Sequence, residues 1–140
     1  MTYEHARNSL DENGRKLLDT LDAWRAKRGD IEFVDNKVGF NICLKTASGP
    51  VTILVFWGHM NQKESFVMES RQDGYPSFVK VDRADKIRFA RQLQQYYFQE
   101  TAGPHMNSRL EFRQVPMTPD RLNKIVGAID GAVDIIKAKV

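Results

Sequence analysis

Histidine, cysteine and arginine are the side chains in this chain whose chemistry most needs a place. His5, His59 and His105 stand far apart, each in an arm or loop. Metal binding and proton transfer near neutral pH favour histidine. His59 with Glu64 across a hairpin tip would supply only part of a metal site, and a solvated loop histidine beside a surface acid is the commoner arrangement, so no metal is assigned. Cys43 is the only cysteine, which excludes an intrachain disulfide and a four-thiolate zinc site and fits a reducing, cytoplasmic compartment. A nucleophilic thiolate needs a positive neighbour. Lys45 lies two residues on, but free cysteines are most often buried, and Cys43 reads as a packed residue beneath a covering helix.

The arginines form the more informative pattern. Arg83, Arg88 and Arg91 lie at or along the polar side of an expected helix, Gln92 and Gln95 share that side, and Arg109 and Arg113 project from one face of the strand that follows. Arginine and glutamine side chains contact phosphates and base edges, while Asp82, Asp85 and Glu111 dilute the charge. Trp57 at a strand end and Tyr75 in a loop are the aromatics placed to meet a ligand. Phe89, Tyr96, Tyr97 and Phe98 fall instead within a broad apolar arc that should face a core. The net charge of +3 is uneven: nine basic against ten acidic residues up to Ser70, and twelve against eight from Arg71 onward. The second half thus suits an anionic partner.

No phosphate loop, dinucleotide fingerprint, nucleophile elbow or zinc-protease helix occurs in the sequence. No apolar run nears the roughly 20 residues of a spanning helix, and the opening residues lack the apolar stretch of a secretory signal. The expected function is a small non-catalytic binding module for an anionic partner such as DNA or RNA. The alternatives are a protein-interaction or regulatory domain, and then a small-molecule enzyme without a familiar motif. No cofactor and no catalytic residue is assigned, and no membrane partner is expected.

The elements that must position these residues follow from patterning. With 140 residues, one domain with one core is expected over 9–140, preceded by a loose arm over 1–8. Ser9-Leu10-Asp11-Glu12 reads as a capping box opening a helix that ends at Gly29, with Leu10, Leu17, Leu18, Leu21 and Trp24 on one stripe. Ile31 to Val34 and Val38 to Leu44 read as strands around the turn Asp35-Asn36-Lys37. Val51 to Trp57, apolar on both faces, should be a central strand covered from both sides. Ser77 to Val81 is a further short strand. Asp82 caps a second helix running to about Glu100, and Leu110 to Val115 is another strand. Thr118-Pro119-Asp120 opens a last helix, on which Gly127 and Gly131 lie opposite the apolar stripe. The fold class is α+β: a mainly antiparallel sheet of about four to six strands with three helices packed on it. Trp24, Ile53, Val55, Phe56, Phe112, Ile129 and Val133 are expected to share the core.

The order helix, three strands, helix, strand resembles the core order of restriction-endonuclease-like nucleases, whose metal-binding signature is an acid plus Glu/Asp-x-Lys. The only matching triplet, Asp35-Asn36-Lys37, sits in the hairpin turn, and Val51 to Trp57 contains no acid-x-lysine. The resemblance is one of element order alone and implies at most a relative that kept the fold and lost the chemistry.

Overall fold

A computed structural model describes residues 3–37, 39–58, 66–70, 80–100, 107–111 and 116–140. They run α1 (Tyr3–Ser9), α2 (Glu12–Arg28), β1 (Ile31–Asp35), β2 (Gly39–Thr46), β3 (Gly49–Gly58), β4 (Phe66–Ser70), α3 (Arg83–Leu93), β5 (Gln99–Glu100), β6 (Ser108–Glu111) and α4 (Pro119–Lys137). The strands form one antiparallel sheet in the order β1-β2-β3-β4-β6-β5. Four successive strands meander, and the chain returns after α3 to add two more at the far edge. This is the expected α+β class, with four helices among the described residues instead of three.

The additional helix is α1, formed by residues read from sequence as a loose arm. Ala6 is fully buried, and the Tyr3 ring packs 5.4 Å from Phe33 and 5.3 Å from Phe40. The Tyr3 hydroxyl donates to the Leu18 carbonyl at 3.0 Å, and Arg7 clasps Asp19 with two hydrogen bonds. Seven residues are too few to display an apolar period, which is why the helix left no signal. Its presence also moves the next cap. Ser9 closes α1 by donating to the His5 carbonyl, and the N-cap of α2 is Asp11, whose carboxylate accepts the Gly14 amide at 2.9 Å. Gly29 ends α2 at φ 78°, as expected of a glycine C-cap.

Later elements also depart from the sequence reading. The helix capped by Asp82 stops at Leu93, well short of Glu100. Beyond it Tyr97 adopts φ 63°, and the Phe98 amide donates to the Tyr96 carbonyl at 2.7 Å. That is a γ-turn of the rare positive-φ kind, which reverses the chain into β5. In the strand expected over Leu110 to Val115, Leu110 is buried and Glu111 exposed, while Phe112 to Val115 lie outside the described residues. Of Ser77 to Val81, only Lys80 and Val81 are described, and they form a turn.

All four helices face the same side of the sheet. Their buried residues, from Ala6 through Leu17, Leu21, Phe89 and Leu93 to Ile129 and Val133, join one cluster with Ile31, Phe40, Ile42, Leu54, Phe56, Met68 and Leu110. The doubly apolar look of β3 has a local cause. Ile42 pairs with Leu54 and Cys43 with Thr52, so Ile53 is an extra, bulged residue, and Ile53 and Leu54 both enter the core. Val55, expected inside, is half-buried and outside the cluster; so is Trp57, its neighbour on the face opposite the helices. Trp24 packs at the margin of the core and donates its indole N–H to Asp130 at 2.8 Å.

Beside Trp24, Arg28 ties the first half of the chain to the last helix. Its guanidinium, 13% exposed, meets Asp30 at 2.8 Å and both Asp130 and Asp134 at 3.0 Å, and Lys137 reaches back to Asp30 at 2.8 Å.

Candidate nucleic-acid interface

The arginine-bearing helix is built from an N-cap and a buried stripe. The Asp82 carboxylate accepts the Asp85 amide at 2.9 Å, and Phe89, Ala90 and Leu93 are buried. That burial turns Ala84, Arg88, Arg91 and Gln95, spaced i, i+4, i+7 and i+11, outward as one exposed line, with Arg83 exposed beside its start. Arg83 and Arg91 have no ion-pair partner among the described residues. Arg88, its side chain 64% exposed, leans on Asp85 at 3.1 Å, and Asp85 also receives Lys139, just past the end of α4, at 3.5 Å.

Gln92 belongs to the packing between α3 and α4 more than to this line. A Cβ at Gly131 would stand 2.5 Å from its amide nitrogen, so the absent side chain at Gly131 is what lets Gln92 lie there. Asp85 near Lys139 at one end, and Tyr96 and Tyr97 near the start of α4 at the other, make the two helices antiparallel.

At that second end the chain gathers aromatic rings and cations that the sequence pattern left in the core or unassigned. The Lys124 ammonium lies 5.6 Å from the centre of the Tyr96 ring, and the Arg121 guanidinium 5.7 Å from that of Tyr97. Arg121 donates to the Pro116 carbonyl at 3.2 Å, and Lys124 pairs with Asp120 at 3.0 Å, which raises the lysine above its ordinary pKa. Thr118 caps α4 by accepting the Arg121 amide, with Pro119 at the first turn as the sequence predicts. Phe89 and Phe98 are core residues, Tyr97 packs against the core, and Tyr96 stands outside it. The i,i+3 spacing of Arg121 and Lys124 on a predicted helix was the signal available for finding them.

Arg109 and Trp57 meet each other, but on the far side of the sheet. Ser108 and Leu110 are buried toward the helices, so the alternating Arg109 projects from the opposite face, directly across from Glu69 of β4. The Arg109 Nε donates to Glu69 Oε2 at 3.1 Å, the Trp57 indole N–H donates to Glu69 Oε1 at 3.0 Å, and the guanidinium lies 5.8 Å from the Trp57 ring centre. Glu69, its side chain 6% exposed, thus engages both partners through different oxygens. An acid at the end of the short apolar run Phe66-Val67-Met68 was its only trace in the sequence. The α3 arginines and Arg109 therefore do not form one surface. Arg113 and Tyr75 lie outside the described residues, as do His59, Glu64 and His105.

Cys43 is buried on that far face, in contact with the Thr52 hydroxyl at 3.7 Å, and burial pushes its thiol above the ordinary value. Among the described residues no three of His, Cys, Asp and Glu gather to hold a metal ion, and no helix is long and apolar enough to cross a membrane. Comparison with known proteins returns no matching family model, no matching curated protein and no matching solved structure.

Proposed function

We propose that this protein is a non-catalytic module that binds a polyanion, DNA or RNA, along the exposed side of α3. The observation that carries the reading is the outward line of Arg88, Arg91 and Gln95 with Arg83 beside it, in which Arg83 and Arg91 have no ion-pair partner among the described residues. At a rise of 1.5 Å per residue, Arg83 to Arg91 spans about 12 Å of helix. Duplex DNA presents a phosphate about every 1.7 Å of its axis, so this span lies beside several charges at once. The excess of basic residues after Arg71 is in accord with it.

Fluorescence anisotropy of short oligonucleotides across a salt series tests the proposal. Each duplex phosphate neutralised contributes about 0.9 to the slope of log affinity against log salt. Replacing both Arg88 and Arg91 by alanine should weaken binding to all sequences alike and flatten that slope by about two units. Absence of binding at low salt, or an unchanged slope in the double variant, refutes it. A protein-interaction role is the second reading, and what favours it is Val34, 38% exposed on the outermost strand β1. A sheet edge carries backbone groups open to pairing with another chain.

A further inference from the structure

We infer that the polyanion is single-stranded, and that its bases stack at Tyr96 while its phosphates lie between the α3 arginines and the start of α4. This rests on the polyanion reading of α3 and narrows it. The exposed line that begins on α3 ends at Gln95, two residues past the helix, and the next residue is Tyr96, a half-buried ring that does not belong to the core cluster. Lys124 lies over one face of that ring, 5.6 Å from its centre, and Arg121 lies over the neighbouring Tyr97, 5.7 Å from its centre. Cations therefore precede Tyr96 along α3, at Arg88 and Arg91, and meet the two tyrosines from α4, at Lys124 and Arg121. Successive nucleotides present that alternation of anionic phosphate and flat base, and a base has a face for stacking only where it is not enclosed in a duplex.

The backbone shows how Tyr96 comes to lie there. Tyr97 is the sole non-glycine among the described residues with positive φ, at 63°, and a bulky side chain pays a conformational penalty there. The turn it makes lies beyond the end of α3 and reverses the chain where the apolar pattern runs on through Tyr96, Tyr97 and Phe98. Phe98 enters the core and Tyr97 packs against it, which leaves Tyr96 at the margin beside Lys124.

The test compares a fluorescein-labelled oligothymidylate with a duplex of the same length at low salt, using the wild-type chain, Tyr96→Ala, Tyr96→Phe and Arg88→Ala with Arg91→Ala. Stacking on an aromatic side chain is worth about 1–3 kcal/mol per base, so Tyr96→Ala should lower affinity for the single strand by about 5- to 150-fold. Tyr96→Phe, which keeps the ring, should retain wild-type affinity, and duplex binding should be the same in all three. The double arginine variant should lose affinity for both. Thermal unfolding of each variant verifies that the fold is retained. If wild type binds the duplex as well as the single strand and Tyr96→Ala changes neither, single-strand selection is overturned while the α3 reading stands. If Tyr96→Ala and Tyr96→Phe weaken the single strand equally, stacking is overturned. If wild type binds neither oligonucleotide, both readings fall together.

Discussion

Arg28 is the residue on which the largest local change is expected. It is nearly buried and answers three carboxylates, so Arg28→Ala leaves Asp30, Asp130 and Asp134 facing one another with only Lys137 to offset them. The cost should be roughly 1–3 kcal/mol, between that of an exposed pair and a buried one, and chemical denaturation would measure it. Asp30 gives the pH dependence. The hydrogen bonds from Arg28, and after them those from Lys137, hold its carboxyl well below the usual carboxylate range. A depressed folded pKa means stability that is present above the unfolded value of about 3.9 and is lost as pH falls toward the folded value. From about pH 4 to pH 2 the wild-type chain should therefore lose stability more steeply than Asp30→Asn, and equal slopes would show that the cluster does not govern the acid limb. Cys43 supplies a third expectation: buried, and with its thiol pushed up, it should resist iodoacetamide in the native chain and react on unfolding.

Helix ends show how far local sequence could be trusted. Thr118-Pro119-Asp120, Asp82 and Gly29 were legible because a cap is a local bargain between one side chain and the nearest backbone groups, and each performs the expected role. Ser9 and Tyr97 were not legible, since the first is recruited by a preceding short helix and the second is turned by tertiary packing. The glycines of α4 divide in the same way. Gly131 faces Gln92 of α3, whereas a Cβ at Gly127 would meet nothing within 4 Å. Gly127→Ala should raise stability by about 0.5–1 kcal/mol through the lower helix propensity of glycine. Gly131→Ala should gain less because Gln92 must swing aside. Thermal midpoints of the two variants decide it, and equal gains would mean that Gln92 moves without cost.

At the scale of the whole molecule, the α+β class and the apolar stripes were readable from periodicity, while the strand order and the side on which each arginine emerges were not. Arg109 and Arg91 read as neighbours along the chain, yet one projects from the sheet face and the other from the helix layer. Alternation tells which way Arg109 points from its strand, but not that all the helices cover the other face, and that is what separates the two. The core makes a direct prediction: Ile53→Ala, at a fully buried bulge, should cost about 2–5 kcal/mol and sharply lower the denaturation midpoint, and a loss no larger than surface scatter would displace Ile53 from the core. The joining of Trp24 and Arg28 to Asp130 and Asp134 has a consequence for the order of events during synthesis. Partners separated by 102 to 106 residues cannot meet until the chain has been made through α4. A ribosome-bound chain that has completed the sheet still lacks Ile125, Ile129, Val133 and Ile136, and carries Arg28 without two of its acids. The last helix thus acts as the bolt of the domain, so that a chain released before α4 should be the form that chaperones hold and proteases cut.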